Sequence, residues 1–351
     1  MELRMYPEGY TVVNVVDLES YVKGVIPSEV PSSYGMEALK AQAVCARSYA
    51  YIQMMHNKYE AYGAHVDDSV NFQVYNKQNQ TPETVAAVDE TKGQVLSYKG
   101  DIIETYYYST SYGHTGDYEA WNLDKDAYGY LQGVWVRSEE NPIDLSDEKS
   151  FLDYISNVDS ACYESDLKYF RWNTVLDFQG KDETLLHTIA DRKEHQPEAI
   201  SYYKDASKTE TTDSCSNFGS LQAINVVKRN QSGVILELEL EFQNGAISVQ
   251  SEYNMRAILG CGITNINLLD GSSVEMSILP SAYISIQAKG DGTYAVLGGG
   301  YGHGIGMSQN GAQKLCGQGF DYKRILNYFY QDTELTELYQ PQNVTKEEGG
   351  V

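Results

Sequence analysis

Among forty-nine acidic side chains, Glu29 has the most distinctive setting. Ile26, Pro27, Val30 and Pro31 surround it with apolar, conformationally restricted neighbours. Such a setting is expected to raise a carboxyl pKa and keep a proton available near neutral pH, as a general acid requires. An exposed loop glutamate is the plainer reading of the same residues. Lys40 and Arg47, seven apart, fall on similar faces of a helical run, with Gln42 on another flank; a solvated helix face also accounts for them. His303 stands among glycines, so its ring is expected to be poorly covered and able to donate or accept a hydrogen bond, with a structural histidine as the alternative. His114 lies in a small polar loop with no second histidine or cysteine nearby, and zinc is not expected there. Gly306-Met-Ser308-Gln-Asn lacks the second glycine of a serine-hydrolase elbow.

The glycines around His303 alternate at 300, 302, 304 and 306 with Tyr301, His303, Ile305 and Met307. In an extended chain, the period of two puts every real side chain on one face and leaves the other as bare backbone. Glycine costs entropy and packing in a strand, so the alternation predicts a close approach by a partner chain or a ligand. No dinucleotide fingerprint results, because position 307 is methionine, and no Gly-Lys-Ser/Thr follows to cradle a phosphate.

A net charge of −23 from 26 basic and 49 acidic residues argues against nucleic acid or an anionic membrane surface as partner. Thirty tyrosines against eight phenylalanines offer flat faces with hydroxyls, the combination that sugar-binding surfaces use. Five cysteines at 45, 162, 215, 261 and 316 form no Cys-x-x-Cys pair, so neither a disulfide framework nor a zinc knuckle is expected, and Cys45 reads as a small buried thiol. No run of eighteen apolar residues is present, and the first residues lack the regions of a signal peptide. Either the protein is cytoplasmic or a leader lies outside this sequence.

The elements that must position these residues read as an α+β fold, with antiparallel β-hairpins packed around a long central helix over about 35–55. Leu39, Ala43, Ala46, Ala50 and Met54 carry the apolar spacing of that helix. Residues 10–16 read as a strand, Asp17 as the N-cap of a short helical turn, and the prolines at 27 and 31 as forbidding regular structure after it. A hairpin flanks Lys99-Gly-Asp, from 94–98 to 102–109, and leads into the polar loop from Ser109 to Gly116. The acidic stretch over about 139–216 reads as an insertion or subdomain, anchored to a core by Tyr169-Phe-Arg-Trp172. Strands return at 223–227, 234–242 and 246–250, then a helix from Glu252, and helical turns capped by Ser308 and Asp321.

Four blocks, in order, carry a family resemblance. They are Leu18-Glu-Ser-Tyr-Val-Lys-Gly-Val-Ile-Pro-Ser-Glu-Val-Pro, Glu37-Ala-Leu-Lys-Ala-Gln-Ala-Val-Cys-Ala-Arg-Ser-Tyr-Ala, Tyr108-Ser-Thr-Ser, and Gly302-His-Gly-Ile-Gly-Met-Ser-Gln-Asn-Gly-Ala. From about residue 10 to 335 the chain resembles the SpoIID/LytB family of cell-wall proteins. The resemblance implies a peptidoglycan lytic transglycosylase of bacterial sporulation, acting during engulfment. Its catalytic glutamate falls in the family's Pro-Ser-Glu-Met/Val-Pro block, here Pro27-Ser-Glu29-Val-Pro31. The implied reaction protonates the glycosidic oxygen between MurNAc and GlcNAc. The same carboxylate then takes a proton from the MurNAc C6 hydroxyl as that hydroxyl attacks C1. The product is a 1,6-anhydro sugar, and one carboxylate suffices because the substrate supplies the nucleophile, whereas ordinary glycosidases need two.

By the same resemblance, Lys40, Gln42, Arg47, Ser109, Ser111, His303 and Gln309 lie around the cleft as substrate-binding residues, and no cofactor is implied; the bare face of the glycine run becomes a candidate wall of a glycan groove, with Tyr301 or His303 on its other face as a further substrate contact. Hydrogen bonds to sugar hydroxyls and acetamides, and orientation of Glu29, are the roles expected of them. The family's small loop often carries Ser-Gly-Gly or cysteines, whereas Ser111-Tyr-Gly113 has no cysteine, so no metal is expected. The familiar Gln-Tyr-Gly-Ala is Gln309-Asn310-Gly-Ala in this chain.

The expected division is a catalytic domain built from 10–138 and 217–335, interrupted by 139–216 and followed by a tail over 336–351. Peptidoglycan glycan strands are the implied partner, with a partner amidase and other sporulation membrane proteins as further ones and no nucleic acid. The implied location is extracytoplasmic, in the cell wall or intermembrane space, anchored or secreted through a segment outside this sequence. A non-catalytic peptidoglycan-binding or amidase-enhancing module is the alternative reading, and a purely structural assembly role is a third.

Overall fold

The computed structural model describes residues 1–339 apart from Glu8 and residues 69–71, 77–78 and 139–142. The start of the acidic stretch and the tail from 340 onward lie outside the described residues. Two compact units divide the chain: Met1–Thr105 with Phe320–Asn327 and Asp332 onward, and Tyr106–Gly319 with Tyr328–Gln331. Helices and antiparallel strands both build the chain, an α+β architecture.

In the first unit, β1 (Glu2–Tyr6) and β2 (Gly9–Val13) form a hairpin with Leu3 opposite Val12. Asp17 accepts the Ser20 N–H at 3.0 Å and starts α1 (Leu18–Glu29). Pro27 does not forbid regular structure as expected: α1 runs through Pro27 to Glu29, and it ends before Pro31, where the chain is extended. Proline removes one donor, but here it lies in the last turn, where the Ser28 hydroxyl donates to Gly24 O at 3.0 Å and Val30 N–H to Ile26 O at 3.0 Å.

Gly35 at φ +92° turns the chain into α2 (Met36–His56), the expected long helix. Val22, Val25 and Ile26 of α1 pack on Leu39, Ala43 and Ala46 of α2 and on Ala87 and Val88 of α3 (Pro82–Glu90). Each fully buried Val, Ile or Leu contributes roughly 2 kcal/mol, and the alanines let the helices approach closely. From Ala41 to Ser48 every residue of α2 is buried, Cys45 among them, so this part of the helix is a core element with no solvated face. β3 (Gln94–Tyr98) pairs with β4 (Asp101–Ile102) across Lys99 and Gly100, both at positive φ, the signature of a tight hairpin turn. The strand Glu334–Glu337 covers the other edge of β3. The second arm of the hairpin ends at Ile102, short of the expected 109.

The second unit opens with β5 (Tyr107–Tyr108), followed by α4 (Lys125–Tyr128) and α5 (Glu148–Ile155). Next come β6 (Trp172–Asp177), α6 (Asp182–His195) and β7 (Ile200–Tyr203). The returning strands are β8 (Leu221–Arg229), β9 (Ile235–Phe242) and β10 (Gly245–Val249), and then α7 (Glu252–Gly260), close to their expected bounds. β11 (Ile266–Leu268), β12 (Ser273–Val274), β13 (Ile284–Ala288) and β14 (Thr293–Gly298) follow. β15 (Met307–Ser308) and α8 (Gln309–Gly317) complete it, with Ser308 capping α8 as expected.

One antiparallel sheet runs β7-β10-β9-β8 and another β12-β11-β6-β14-β13. Leu238, Leu240, Ile247, Ile258 and Val296 fill a core of their own, distinct from the one around α2. Tyr169-Phe-Arg-Trp172 does anchor its stretch: Phe170, Arg171 and Trp172 are buried.

Candidate functional site

Glu29 is the last residue of α1 and is half-buried. Its Oε1 accepts the Val74 N–H at 2.8 Å, and the adjacent Ser28 Oγ accepts the Asn76 N–H at 3.1 Å. Residues 74–76 thus run along the end of α1. Gly24 makes this possible, because a Cβ there would overlap the Tyr75 ring, which stacks on Tyr21 with centroids 5.6 Å apart. Fixing one carboxyl oxygen by a main-chain donor orients the group without consuming its proton, since a protonated carboxyl keeps an acceptor oxygen.

The α2 residues differ in what they can reach. Lys40 is half-buried between Glu90, at 2.8 Å, and Glu37, at 3.0 Å; the Glu90 contact is the main cause of its raised pKa. Arg47 is not on a solvated face: it is 0% exposed, and all five guanidinium donors are taken. Nε and Nη2 donate to Glu19 at 2.9 and 2.8 Å, Nη2 also to Val88 O, and Nη1 to Ala43 O and Gln94 O. No donor remains for a sugar, and Arg47 fastens α1, α3 and β3 to α2. Gln42 is 1% exposed, and neither side-chain amide atom has a hydrogen-bond partner among the described residues. Such an orphaned amide is costly and uncommon.

In the second unit the glycine run is not a strand. Gly300, Gly302, Gly304 and Gly306 have φ of +83°, +114°, +82° and +77°, left-handed values that side chains other than glycine's rarely adopt. At the glycine positions the close approach is made by other parts of the chain. A Cβ at Gly300 would lie 2.9 Å from Thr110 O, one at Gly302 2.8 Å from Tyr108 Cβ, and those at Gly304 and Gly306 would overlap the Tyr283 ring and Tyr106 O. β15 pairs in parallel with β5, and Tyr301 pairs with Thr110.

This pairing gathers Ser109, Ser111, Tyr301, His303 and Gln309. The His303 ring is not poorly covered: Tyr106, Tyr108 and Trp121 pack around it. Its Nδ1 accepts the Ile305 N–H at 3.1 Å, so Nε2 carries the proton and donates to Tyr107 O at 2.9 Å. Burial holds its pKa down to about 4. His303 is therefore a neutral brace between the glycine run and β5. His114 is buried against Trp135, with burial likewise holding its pKa at about 4. Tyr301 stacks on Tyr169 with centroids 4.4 Å apart. Asn310 donates to Ser109 O at 3.0 Å from its main chain and from its side chain, so the position that departs from the family block stitches the loop.

Sequence reasoning missed Glu164. Buried in the second unit, its carboxyl accepts the Ser111 N–H at 3.0 Å, the Ser111 hydroxyl, and the Ser308 hydroxyl at 2.7 Å. Ser111 therefore turns inward. Nothing in Tyr163-Glu-Ser distinguishes this residue from the other acids of its stretch. Among the described residues no group of three or more His, Cys, Asp or Glu is placed to hold a metal ion. No described helix is long and apolar enough to cross a membrane.

Comparison with known proteins gives these arrangements a lineage. The SpoIID family, described as a stage II sporulation protein, matches residues 6–98, and a domain of unknown function, DUF8618, matches residues 114–306. The chain is similar to the amidase enhancer of Bacillus subtilis (strain 168), 28% identical over 329 residues covering 90% of this chain and 40% of that protein. It is also similar to stage II sporulation protein D of the same organism, 26% identical over 352 residues covering 96% of this chain and 79% of that protein. An uncharacterised protein of Brachyspira hyodysenteriae is 26% identical over 333 residues, covering 95% of this chain and 70% of its own. The chain spans 40% of the amidase enhancer's length, less than half of it. The SpoIID match takes in Glu29 and the whole of α2, over about a quarter of the sequence, whereas the DUF8618 match exceeds half of it; the chain belongs to the DUF8618 family and its first part is similar to SpoIID.

Proposed function

We propose that this chain acts in cell-wall remodelling outside the cytoplasm as a peptidoglycan lytic transglycosylase with Glu29 as its single acid and base. The observation that carries the reading is the fixed orientation of the Glu29 carboxyl by Val74 N–H within the Pro27–Pro31 frame. Protonated Glu29 donates to the oxygen linking MurNAc to GlcNAc as the C1–O bond breaks. The resulting carboxylate accepts the proton of the MurNAc C6 hydroxyl as its oxygen bonds to C1. The sugar gains a 1,6-anhydro bridge, water is not consumed, and Glu29 regains its proton. Gln42 is assigned to polar contact within the first unit, since its buried amide has no partner among the described residues. In the first unit Lys40 is assigned to sugar contact, with Arg47 supporting α2 from within; in the second, Ser109, Tyr301 and Gln309 are assigned to sugar contacts, with Ser111 and His303 supporting them from within. Glycan strands treated with the protein, analysed by mass spectrometry, test the reading through their anhydro ends.

A second reading has one observation in its favour, the relative whose name is amidase enhancer. In that case the chain binds peptidoglycan and stimulates a partner amidase, and replacing Glu29 leaves the stimulation intact.

A further inference from the structure

The polar loop Ser109–Ser111 and the turn Ser308–Asn310 come from distant parts of the sequence, and one buried side chain holds both. Glu164 lies on a turn closed by Leu167 N–H to Glu164 O at 3.0 Å, so its main chain is fixed. Its carboxyl receives two donors from Ser111 and one from Ser308. The Ser308 hydroxyl in turn accepts the Gly311 N–H at 3.1 Å, which ties the same carboxyl to the start of α8. A Cβ at Gly311 would come within 3.2 Å of Glu164 Oε2, so the glycine leaves room for the carboxyl. Gln309 directly follows Ser308, and Ser109 lies two residues before Ser111; both are assigned to sugar contacts.

We propose that Glu164 is a positioning residue that holds the Ser109–Ser111 loop and the Ser308–Asn310 turn in one register, presenting the loop as a preformed edge for a saccharide. The choice of ligand rests on the reading of the chain as a glycan-acting protein; the clamp itself rests on geometry.

Protonation couples to this clamp. Burial pushes the Glu164 carboxyl up to about 7, against the pull of the Ser111 and Ser308 hydrogen bonds and the charge of Lys314. Among the described residues, the other ionisable groups facing it are the buried Tyr108 hydroxyl on β5 and Tyr328 of the helix Tyr322–Phe329, while Asp166 pairs with Lys314 at 2.7 Å. Opening the loop hydrates the carboxyl and returns it toward its ordinary value. The closed loop therefore binds the proton more tightly, and closure weakens as pH rises through about 7.

Hydrogen exchange of the full chain at the 107–113 segment, corrected for intrinsic exchange, tests the clamp from about pH 6 to about pH 8. Wild-type protection is expected to fall by about tenfold, and Glu164→Gln, which cannot ionise, is expected to abolish the trend. With purified glycan strands, Glu164→Ala is expected to raise KM by about fivefold with kcat retained, and Glu164→Gln to restore KM. A flat wild-type exchange profile, or a Glu164→Gln profile that follows the wild type, overturns the proposal even if Glu164→Ala does not fold. Absence of glycan cleavage by the wild type counts against the enzymatic reading alone, because the exchange profile is read without substrate.

Discussion

Val74 N–H donates to Glu29 Oε1 at 2.8 Å across 45 residues of sequence, so the carboxyl at the end of α1 is aimed by a segment that the helix itself does not contain. The orientation of the candidate acid is thus a tertiary property of the first unit. Gly24 and the Tyr21–Tyr75 stack hold the segment in place.

Arg47 supports this arrangement through stability. Its five donors are satisfied inside the first unit, and Glu19 is its only charged partner in those bonds. Arg47→Ala is expected to destabilise the unit by about 3 kcal/mol or more, because a carboxylate and three carbonyls lose their donors. Thermal unfolding checks this. An unchanged Tm together with lost glycan binding would make Arg47 a ligand contact.

The glycines of the 300–306 run divide from others by backbone conformation. Gly306→Ala forces a side chain onto Tyr106 O at φ +77°, and a loss of about 2 kcal/mol or more is expected. Gly317→Ala, in α8 with open space around its Cβ, is expected to be neutral or stabilising by up to about 1 kcal/mol. Urea unfolding of the two variants, compared at fixed pH, gives the contrast directly.

His303 makes the second unit sensitive to acid. Its folded pKa of about 4 lies below the ordinary 6.5, so its contribution is complete above 6.5 and is lost as pH falls toward about 4. The loss is on the order of 3 kcal/mol. His303→Gln keeps a polar side chain without that titration, and its stability is expected to fall less steeply between those limits. Identical slopes for variant and wild type would remove His303 from the account.

The elements nearest the candidate acid were the most legible. The N-cap at Asp17, the long helix and the hairpin at Lys99–Gly100 each have a local cause, and each is present. Pro27 misled because a proline in the last turn removes only one bond, and Ser28 makes another at that turn. Arg47 looked like a solvated charge because spacing along one helix does not show that α1, α3 and β3 enclose it. The alternation of glycines suggested a strand, whereas positive φ at every second residue produces a chain that folds against β5. Glu164 had no local signal at all, since its donors come from Ser111 and Ser308.

Mass spectrometry of purified glycan strands incubated with wild-type protein and with Glu29→Gln tests the central claim most directly. Wild type is predicted to release fragments ending in 1,6-anhydro-MurNAc, and Glu29→Gln, with an unchanged Tm, to release none. Anhydro ends from Glu29→Gln, or wild-type fragments bearing only reducing ends, would contradict Glu29 as the single acid and base.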